Sequence, residues 1–527
     1  MITPRRQKQK RLFLFFGLRR FVERCEQFKF YVKKEKVTVK IKKMTAFLLA
    51  AVMVAVCMPI VSAEGVSLQG AVICIEGREF DAAADSSGRG WTWSAKDALL
   101  TLNGYNGGRV ELNATGAQGD VCFNVKVVGE NVISNNELFG DKTDSKYSAF
   151  TCVFADIVIS GGGSIEMSNS NELDDDSICM TFATETDEND KYIPKNATID
   201  GVTLIMKGEK SKSNDHYVSD GIDSFGVNLS IKNAVLDFID CYDCIYIDDE
   251  NDVELFNTIV SAIGEAEGFK SVFYQGVDNF LSVKQSTIVL GEGLTHAFLA
   301  GGISFDHSVV TGGAKEVFIR SWSNININTS VLAIETDCST TQDRWTPGVI
   351  FGHVYSDNSL ITISAKGAIF TGARDLEVYK KTGNFAECAA TVELKNSLVY
   401  FLSETPKTNN AEISFVFDND YWLVVLDDEE KAEGLNDYTI ANGSWQSLLV
   451  DSTNGYGDVD VSGVVNAADA LLALQVAVGK TTLTVQGAVV LDVSGNGEVA
   501  AEDALLILQY AVGKITKFPI EDKIAKV

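Results

Sequence analysis

Oxygen-bearing side chains recur near the C-terminus at the spacing of a calcium-binding loop. In two segments, which start at Asp458 and at Asp492, such residues occupy positions 1, 3, 5 and 12, with glycine at position 6. Calcium takes about six to eight oxygen ligands, and glycine permits the tight turn that gathers them. The residue at position 7, Val464 or Glu498, is placed to offer its backbone carbonyl. The pattern therefore predicts two calcium loops, 34 residues apart.

Each loop leads into a short amphipathic helix. Leucine and valine recur at helical spacing over 471–478 and 505–512, and Gly479 and Gly513 follow as natural helix stops. An EF-hand has a helix before its loop and a glutamate at position 12. Here both loops have aspartate at position 12, and the glycine-rich stretch 454–457 cannot form a preceding helix. The repeated loop and helix instead closely resemble a type I dockerin, over about residues 455–518.

The dockerin resemblance implies a partner, a cofactor and a set of site residues. Dockerins plug proteins into a cohesin-bearing scaffoldin and so build a cellulosome. The implied ligands of the first calcium are Asp458, Asp460, Ser462, Val464 and Asp469, and those of the second are Asp492, Ser494, Asn496, Glu498 and Asp503. The implied cohesin contacts are Ala467, Ala468, Leu474, Gln475, Ala501, Glu502, Leu508 and Gln509. The family's common Ser-Thr pair is absent, and the alanines at these positions imply a more apolar contact and a different specificity. The near-symmetry of the two halves would allow two docking orientations.

Residues 64–450 carry strand signals and almost no helical periodicity. One sequence motif recurs, in which alternating apolar residues precede a small or amide residue and a further apolar pair. Examples are Leu229–Val235, Val253–Ile259 and Val392–Leu398. Repeats of roughly 20 to 40 residues predict a solenoid, and strand-only repeats indicate a parallel β-helix. Asparagine suits the bend because it tolerates left-handed backbone and can hydrogen-bond to asparagine in the next coil. The alternative is a β-sandwich, whose hairpin turns are scarce here.

The start of this region carries a second resemblance. Gly90–Ser94, followed by Ala98–Gly107, looks like the first segment of secreted β-helix proteins grouped as carbohydrate-binding-domain proteins. These include a cellulosomal, calcium-dependent polygalacturonate binder related in shape to pectate lyases. The resemblance implies a right-handed parallel β-helix that binds carbohydrate. Trp91 and Trp93 are candidates for stacking on sugar, or else they cap the core of the first coil.

Acidic residues on neighbouring repeats are the candidates for chemistry in this region. Asp220 and Asp243 match part of the pattern of polygalacturonases, which hydrolyse with inversion. Tyr242 replaces one carboxylate of that family's pair, and its Gly-His-Gly and Arg-x-Lys segments are missing, so no catalytic residue is assigned. Asp220, Asp223, Asp240 and Asp243 form a possible further calcium site instead, since coils about 4.8 Å apart bring carboxylates together. A solvated acidic face is the remaining alternative.

The N-terminus predicts export. The basic run Lys40–Lys43 precedes the apolar stretch 46–61 and a small-residue cleavage site at Ala63, which is typical of a secretory signal peptide. Residues 1–43 are basic and precede this complete signal, so we expect the true start at Met44, with a long leader as the alternative. No later segment of the sequence is long and apolar enough to suggest a membrane span.

Charge and cysteine usage narrow the class of partner and compartment. The net charge is −27, although residues 1–63 hold 15 of the 45 basic and 3 of the 72 acidic residues. A protein with so acidic a body does not bind nucleic acid by neutralising its phosphates, and it suits cation binding. Eight cysteines follow Ala63, with a single Cys241-x-x-Cys244 pair. This pattern predicts buried free thiols rather than a disulfide scaffold.

These features predict a secreted, cellulosome-associated protein in three parts. They are a leader and signal peptide over 1–63, an all-β right-handed parallel β-helix over 64–450 and a small all-α dockerin over 451–527. The leading function is non-catalytic recognition of a plant cell-wall polysaccharide, with pectic chains as one candidate. The first alternative is a divergent β-helix glycoside hydrolase or polysaccharide lyase, and the second is a structural or adhesion component.

Overall fold

The computed structural model describes residues 68–520 with internal gaps. The chain divides into two compact units, of which one holds Ser62–Ser452, here called the body, and the other includes Thr453–Val527, here called the C-terminal unit. The gaps are 136–147, 170–176, 190, 209–218, 249–250, 265–270, 276–278, 292–293, 338–347, 368, 370–372, 375–380, 383–386, 389, 396, 404–411, 418–422, 427–428, 434–436, 442–446, 452–455, 460–463, 479, 482–489, 495 and 497–498. The predicted signal peptide and Met44 lie outside the described residues.

The body begins with short strands that pair mainly antiparallel. They are β1 (Val72–Ile75), β2 (Arg78–Asp81), β3 (Ser86–Gly88), β4 (Trp91–Ser94), β5 (Leu99–Asn103), β6 (Asn106–Gly107) and β7 (Val110–Asn113), with a 3-10 helix at Ala95–Asp97. Trp91 and Trp93 on β4 are 6 % and 3 % exposed, and Trp93 Nε1 donates to the Ala82 carbonyl at 3.0 Å. Both indoles therefore belong to the core at the start of the body and are not available to stack on sugar.

A long series of short strands follows. It comprises β8 (Cys122–Val128), β9 (Glu130–Asn135), β10 (Ser148–Val153), β11 (Asp156–Gly161), β12 (Ser164–Asn169), β13 (Ser177–Ala183), β14 (Lys195–Asp200), β15 (Thr203–Lys207), β16 (Ser219–Phe225), β17 (Val227–Lys232), β18 (Val235–Ile239), β19 (Asp243–Ile247), β20 (Val253–Phe256), β21 (Ile259–Ile263), β22 (Ser271–Gln275), β23 (Phe280–Lys284), β24 (Thr287–Leu290), β25 (His296–Ala300), β26 (Gly302–Asp306), β27 (Val309–Gly312), β28 (Val317–Asn328), β29 (Val331–Thr336), β30 (Gly348–Asp357) and β31 (Leu360–Ala365).

Parallel pairing arranges these strands in three rows. From β8 to β25, each strand pairs in parallel with the strand three places later in the chain. The pattern changes after β25, because β26 also pairs with β28. The first row contains β7, β10, β13, β16, β19, β22 and β25; the second contains β8, β11, β14, β17, β20, β23 and β26; the third contains β9, β12, β15, β18, β21, β24, β27, β29 and β31. The predicted parallel strand repeats are confirmed, and an antiparallel sandwich is excluded.

Register between repeats builds one continuous core. Met180, Ile222, Ile245, Phe273 and Phe298 occupy matching positions on successive first-row strands and are fully buried. The rings of Phe273 and Phe298 stack with their centroids 5.5 Å apart. Each repeat thus adds one layer of apolar side chains to the layer before it, which is how strand repeats that cannot fold alone become stable together.

The bends between the second and third rows confirm the predicted role of asparagine. Asn233 and Asn257 have φ values of 51° and 47°, in the left-handed region that asparagine tolerates better than most residues. Asn257 Nδ2 donates to Asn233 Oδ1 at 2.8 Å, so the bends of neighbouring repeats are joined.

A serine ladder runs beside these bends, and sequence analysis missed it. The Oγ of Ser308 accepts the N–H of Ser286 at 3.2 Å, and the Oγ of Ser330 accepts the N–H of Ser308 at 3.0 Å. The same bond recurs at Ser359 and Ser397. These hydroxyls satisfy buried backbone donors at each bend, where an unmade hydrogen bond would cost about 1–3 kcal/mol.

Further strands end the body, and two helices dominate the C-terminal unit. The strands are β32 (Ala373–Arg374), β33 (Glu387–Cys388), β34 (Ala390–Lys395), β35 (Leu398–Ser403), β36 (Glu412–Phe417), β37 (Leu423–Leu426), β38 (Glu429–Glu433), β39 (Asp437–Ala441) and β40 (Ser447–Asp451). β34 and β35 extend the second and third rows in parallel, whereas β39 and β40 pair antiparallel with β36 and β35. The helices are α1 (Ala467–Ala477) and α2 (Ala501–Ala511). Within the described part of the chain, no helix has the length and apolar character needed to cross a bilayer.

Candidate functional site

The two aspartates at position 12 of the predicted loops are fixed by backbone hydrogen bonds. Asp469 and Asp503 are both 0 % exposed and lie in the first turns of α1 and α2. Asp469 accepts the N–H of Val459 at 2.9 Å and that of Asn466 at 2.8 Å. Asp503 accepts two N–H groups of the second loop in a similar way, at 2.9 and 2.8 Å. Each carboxylate thus ties a loop to the helix that follows it, and its oxygens have further lone pairs that can face a cation.

The first residue of the second loop folds the loop around itself. Asp492 Oδ1 accepts the hydroxyl of Ser494 at 3.1 Å and the N–H of Asn496 at 3.0 Å. In the first loop, Asp458 is half-buried, and Val464 is 64 % exposed. Three further predicted ligands lie outside the described residues: Asp460, Ser462 and Glu498.

The oxygen atoms that the two loops offer are of the types that bind a hard cation. They are carboxylate, hydroxyl, amide and backbone oxygens, which calcium prefers. Among the described residues, no three acidic, histidine or cysteine side chains are grouped so that they could hold a metal ion. Two acids of each loop lie among the described residues, Asp458 and Asp469 in the first and Asp492 and Asp503 in the second, and Asp460 would add a third carboxylate to the first loop. A bound calcium ion would hold each loop closed against its helix, and the number of ions stays a prediction.

The predicted cohesin-contact residues lie on the exposed sides of the two helices. Ala467, Ala468, Ala501 and Glu502 are exposed in the first turns, and Gln475 and Gln509 are half-buried near the other ends. Leu474 and Leu508 are 43 % and 42 % exposed, which is high for leucine on a helix of a folded unit. The two helices therefore present matched surfaces, as the repeated sequence predicts.

Four more apolar residues extend these surfaces, and the prediction omitted them. Leu471 on α1 and Val478 just after it are more than half exposed, and so are Leu505 on α2 and Val512 just after it. They are spaced three and four residues from the predicted leucines, so each helix carries an exposed apolar stripe. The small core takes the opposite face, where Ala470 lies on α1. The apolar residues of the stripe could be recognised in the sequence, but their exposure could not.

A small core supports both helices and depends on one aromatic residue. Ala473, Leu491, Val493 and Ile507 pack around Phe518, which is 1 % exposed. The Phe518 ring stacks on Tyr510 with centroids 4.6 Å apart, and a Cβ at Gly457 would lie 2.7 Å from the Phe518 ring. The residues after α2 therefore close the unit against the start of the first loop, and sequence analysis did not foresee this contact.

The acidic candidates in the body lie at different places. Asp220 Oδ1 accepts the N–H of Asp243 at 2.9 Å, which joins the starts of β16 and β19. Asp223 is 4 % exposed and pairs in register with Tyr246 further along the same two strands. Asp240 lies at a bend with φ of 56°. All four aspartates are described, and they do not form a group that could hold a metal ion. A catalytic role for Asp220 and Asp243, which the sequence analysis did not assign, stays an alternative.

The seven described cysteines form no disulfide with one another, and five of them are buried as predicted, whereas Cys122 and Cys388 are half-buried. Cys241 and Cys244 are fully buried, and burial raises the pKa of each well above its ordinary value, so both stay protonated at neutral pH. The described cysteines outside disulfides are Cys74, Cys122, Cys152, Cys179, Cys241, Cys244 and Cys388. Cys338 lies outside the described residues.

Comparison with known proteins identifies the C-terminal unit at the level of its family. Residues 456–511 match the type I dockerin domain, the part of the chain that holds both loops and both helices. Neither the curated proteins nor the solved structures gave a match to the chain. A type I dockerin implies docking to a cohesin in a cellulosome-type assembly, and such domains occur in secreted components.

Proposed function

We propose that this chain is a secreted cellulosome component that uses its dockerin to present a polysaccharide-binding body. The dockerin match at 456–511 carries the proposal. Support comes from the two loops, in which Asp469 and Asp503 are buried and hydrogen-bonded alike, and from the matched apolar stripes on α1 and α2. We infer one calcium ion in each loop.

For the body, we propose a right-handed parallel β-helix of the pectate-lyase-like shape. Its support is the threefold period of parallel pairing, together with the joined bends at Asn233 and Asn257. Parallel crossovers are right-handed in about 98 % of cases, which sets the hand. Stacked repeats present long strand faces and variable loops to which a linear polymer can bind. A plant cell-wall polysaccharide is the polymer expected for a component of a cellulosome.

Cohesin capture tests the docking half of this proposal. Full-length protein should bind a type I cohesin on a surface when calcium is present, and EDTA should release it. Leu474→Asp combined with Leu508→Asp should weaken capture strongly, because a charge would replace an exposed apolar contact on both helices. Leu402→Asp is a matched control, since Leu402 is 36 % exposed on the body. Calcium-independent capture, or equal loss in the control, would contradict the proposal.

Retention on polysaccharides tests the other half and separates it from an enzyme. Full-length protein should be retarded in native gels that contain a soluble plant polysaccharide, and it should release no reducing or unsaturated sugar. Sugar release that Asp220→Ala or Asp243→Ala abolishes would favour the hydrolase or lyase instead. Neither retardation nor release on any polymer would favour a structural or adhesion component.

A further inference from the structure

Aromatic side chains from distant parts of the sequence meet on the first row of the body. Phe225 ends β16, and Tyr246 lies on β19, the next strand of that row. Their ring centroids are 6.0 Å apart, with the ring planes inclined by 47°. Both side chains are half-buried. Part of each ring therefore remains open to a ligand, although the rings are held in place by each other.

A third ring comes from the segment between β13 and β14. Tyr192 forms a β-bridge with Thr186, and Thr184 Oγ1 donates to the Ile193 carbonyl at 2.9 Å. The Tyr192 ring lies against Gly226, where a Cβ would be 2.6 Å from two ring atoms and φ is 72°. Only glycine fits this position, so the backbone after Phe225 leaves space for the third ring.

This segment is also held at its tip. Asp187 Oδ1 accepts the N–H of Asn189 at 2.8 Å and that of Lys191 at 3.0 Å. The N–H of Asp187 in turn donates to the Lys191 carbonyl at 2.7 Å. Tyr192 thus follows a turn with fixed geometry, and its ring is positioned before any ligand arrives, which lowers the entropy lost on binding.

Two carboxylates accompany the three rings. The Tyr192 hydroxyl donates to Asp248 Oδ2 at 2.7 Å, and the N–H of Asp248 donates to the Ser224 carbonyl at 3.0 Å. Asp223 is opposite Tyr246 in the strand register. The cluster thus combines apolar ring faces with oxygens that accept hydrogen bonds from hydroxyl groups, which is the usual make-up of a site for a small polar ligand.

We propose that Tyr192, Phe225 and Tyr246, with Asp223 and Asp248, form a subsite for an uncharged sugar of a linear polysaccharide. A pyranose ring has an apolar C–H face for the aromatic rings and hydroxyl donors for the half-buried Asp248 carboxylate. A uronic acid would instead bring a further negative charge to Asp223 and Asp248, which is unfavourable at short range. This inference rests on the proposed function and deepens it, because it selects neutral chains over pectic acid at this place.

Affinity electrophoresis of full-length variants tests the subsite. The gels contain soluble xyloglucan, galactan or polygalacturonate, and the variants are Tyr246→Ala, Phe225→Ala and Tyr192→Phe. We expect retardation of the wild type by a neutral polymer, and a loss of roughly tenfold in affinity for each alanine variant, as for an aromatic anchor. Tyr192→Phe keeps the ring and loses the bond to Asp248, so a smaller loss is expected. Phe280→Ala is the matched control, since Phe280 is 38 % exposed on the second row.

The outcomes separate this inference from the function on which it rests. Wild-type affinity in both alanine variants overturns the subsite but leaves polysaccharide binding intact. Retardation by polygalacturonate alone overturns the preference for uncharged sugar. No retardation of the wild type by any polymer overturns the proposed function and the subsite with it. Equal losses in Phe280→Ala also overturn the subsite, and unchanged thermal unfolding of each variant excludes a folding defect.

Discussion

Truncation of Phe518 should raise the calcium concentration that the dockerin needs in order to fold. Phe518 is 1 % exposed in a core that otherwise contains small and medium side chains such as Ala473 and Val493. Removal of a buried phenylalanine side chain costs about 3–5 kcal/mol, and a core of this size supplies little more than roughly 3–5 kcal/mol. Phe518→Ala therefore removes most of the intrinsic stability, and bound calcium must supply the difference.

The expected shift follows from sharing this loss between the two calcium ions proposed above. A loss of about 4 kcal/mol requires about 2 kcal/mol more from each ion, which corresponds to roughly 30-fold more free calcium at the midpoint. Hydrogen exchange read by mass spectrometry on peptides from α1 and α2 measures the midpoint in the full-length chain. Leu508→Ala is the control, because Leu508 is 42 % exposed and its truncation should change stability by less than about 0.5 kcal/mol. A Phe518→Ala midpoint within threefold of the wild type would refute this reasoning.

Further predictions follow from other described contacts. Asp503→Ala should reduce calorimetric calcium uptake by one ion, because Asp503 is buried in the second loop, and undiminished uptake would contradict the assignment. Cys152, Cys241 and Cys244 should resist alkylation at pH 8 until the chain unfolds, because burial raises the pKa of each thiol and removes the thiolate; rapid labelling of the folded protein would count against this. Ser308→Ala should destabilise the body by about 1–3 kcal/mol in chemical denaturation, since it leaves a buried N–H unsatisfied, and Ser323→Ala, outside the ladder, should not.

Local patterns in the sequence predicted the features whose physics is local. The ligand spacing located the loops that end at Asp469 and Asp503, because those side chains bond within their own loop and helix. The recurring bend located Asn233 and Asn257, because a left-handed residue is needed wherever such a repeat turns. The exposed stripe on α1 and α2 was only half predicted, since the sequence alone did not say which apolar face the small core would cover.

The acidic residues show where local patterns end. Asp220 and Asp243 came together as the repeats predict, but their contact joins a carboxylate to a backbone N–H. Asp240, only three residues before Asp243, lies at a bend instead. Closeness in the sequence therefore does not predict which acidic residues contact one another, because the contacts depend on where each strand begins.

By itself, the sequence determined the dockerin, the strand repeats and the residues at their bends, since each depends on spacing within a few tens of residues. Only the tertiary structure decided which residues from different repeats meet. The loops between strands differ in length, so the register that brings Phe225 to Tyr246, and the turn that adds Tyr192, cannot be counted from the sequence. That register is fixed by the burial of core side chains such as Ile222 and Ile245. If a strand slipped by one residue, its apolar side chains would all turn outward.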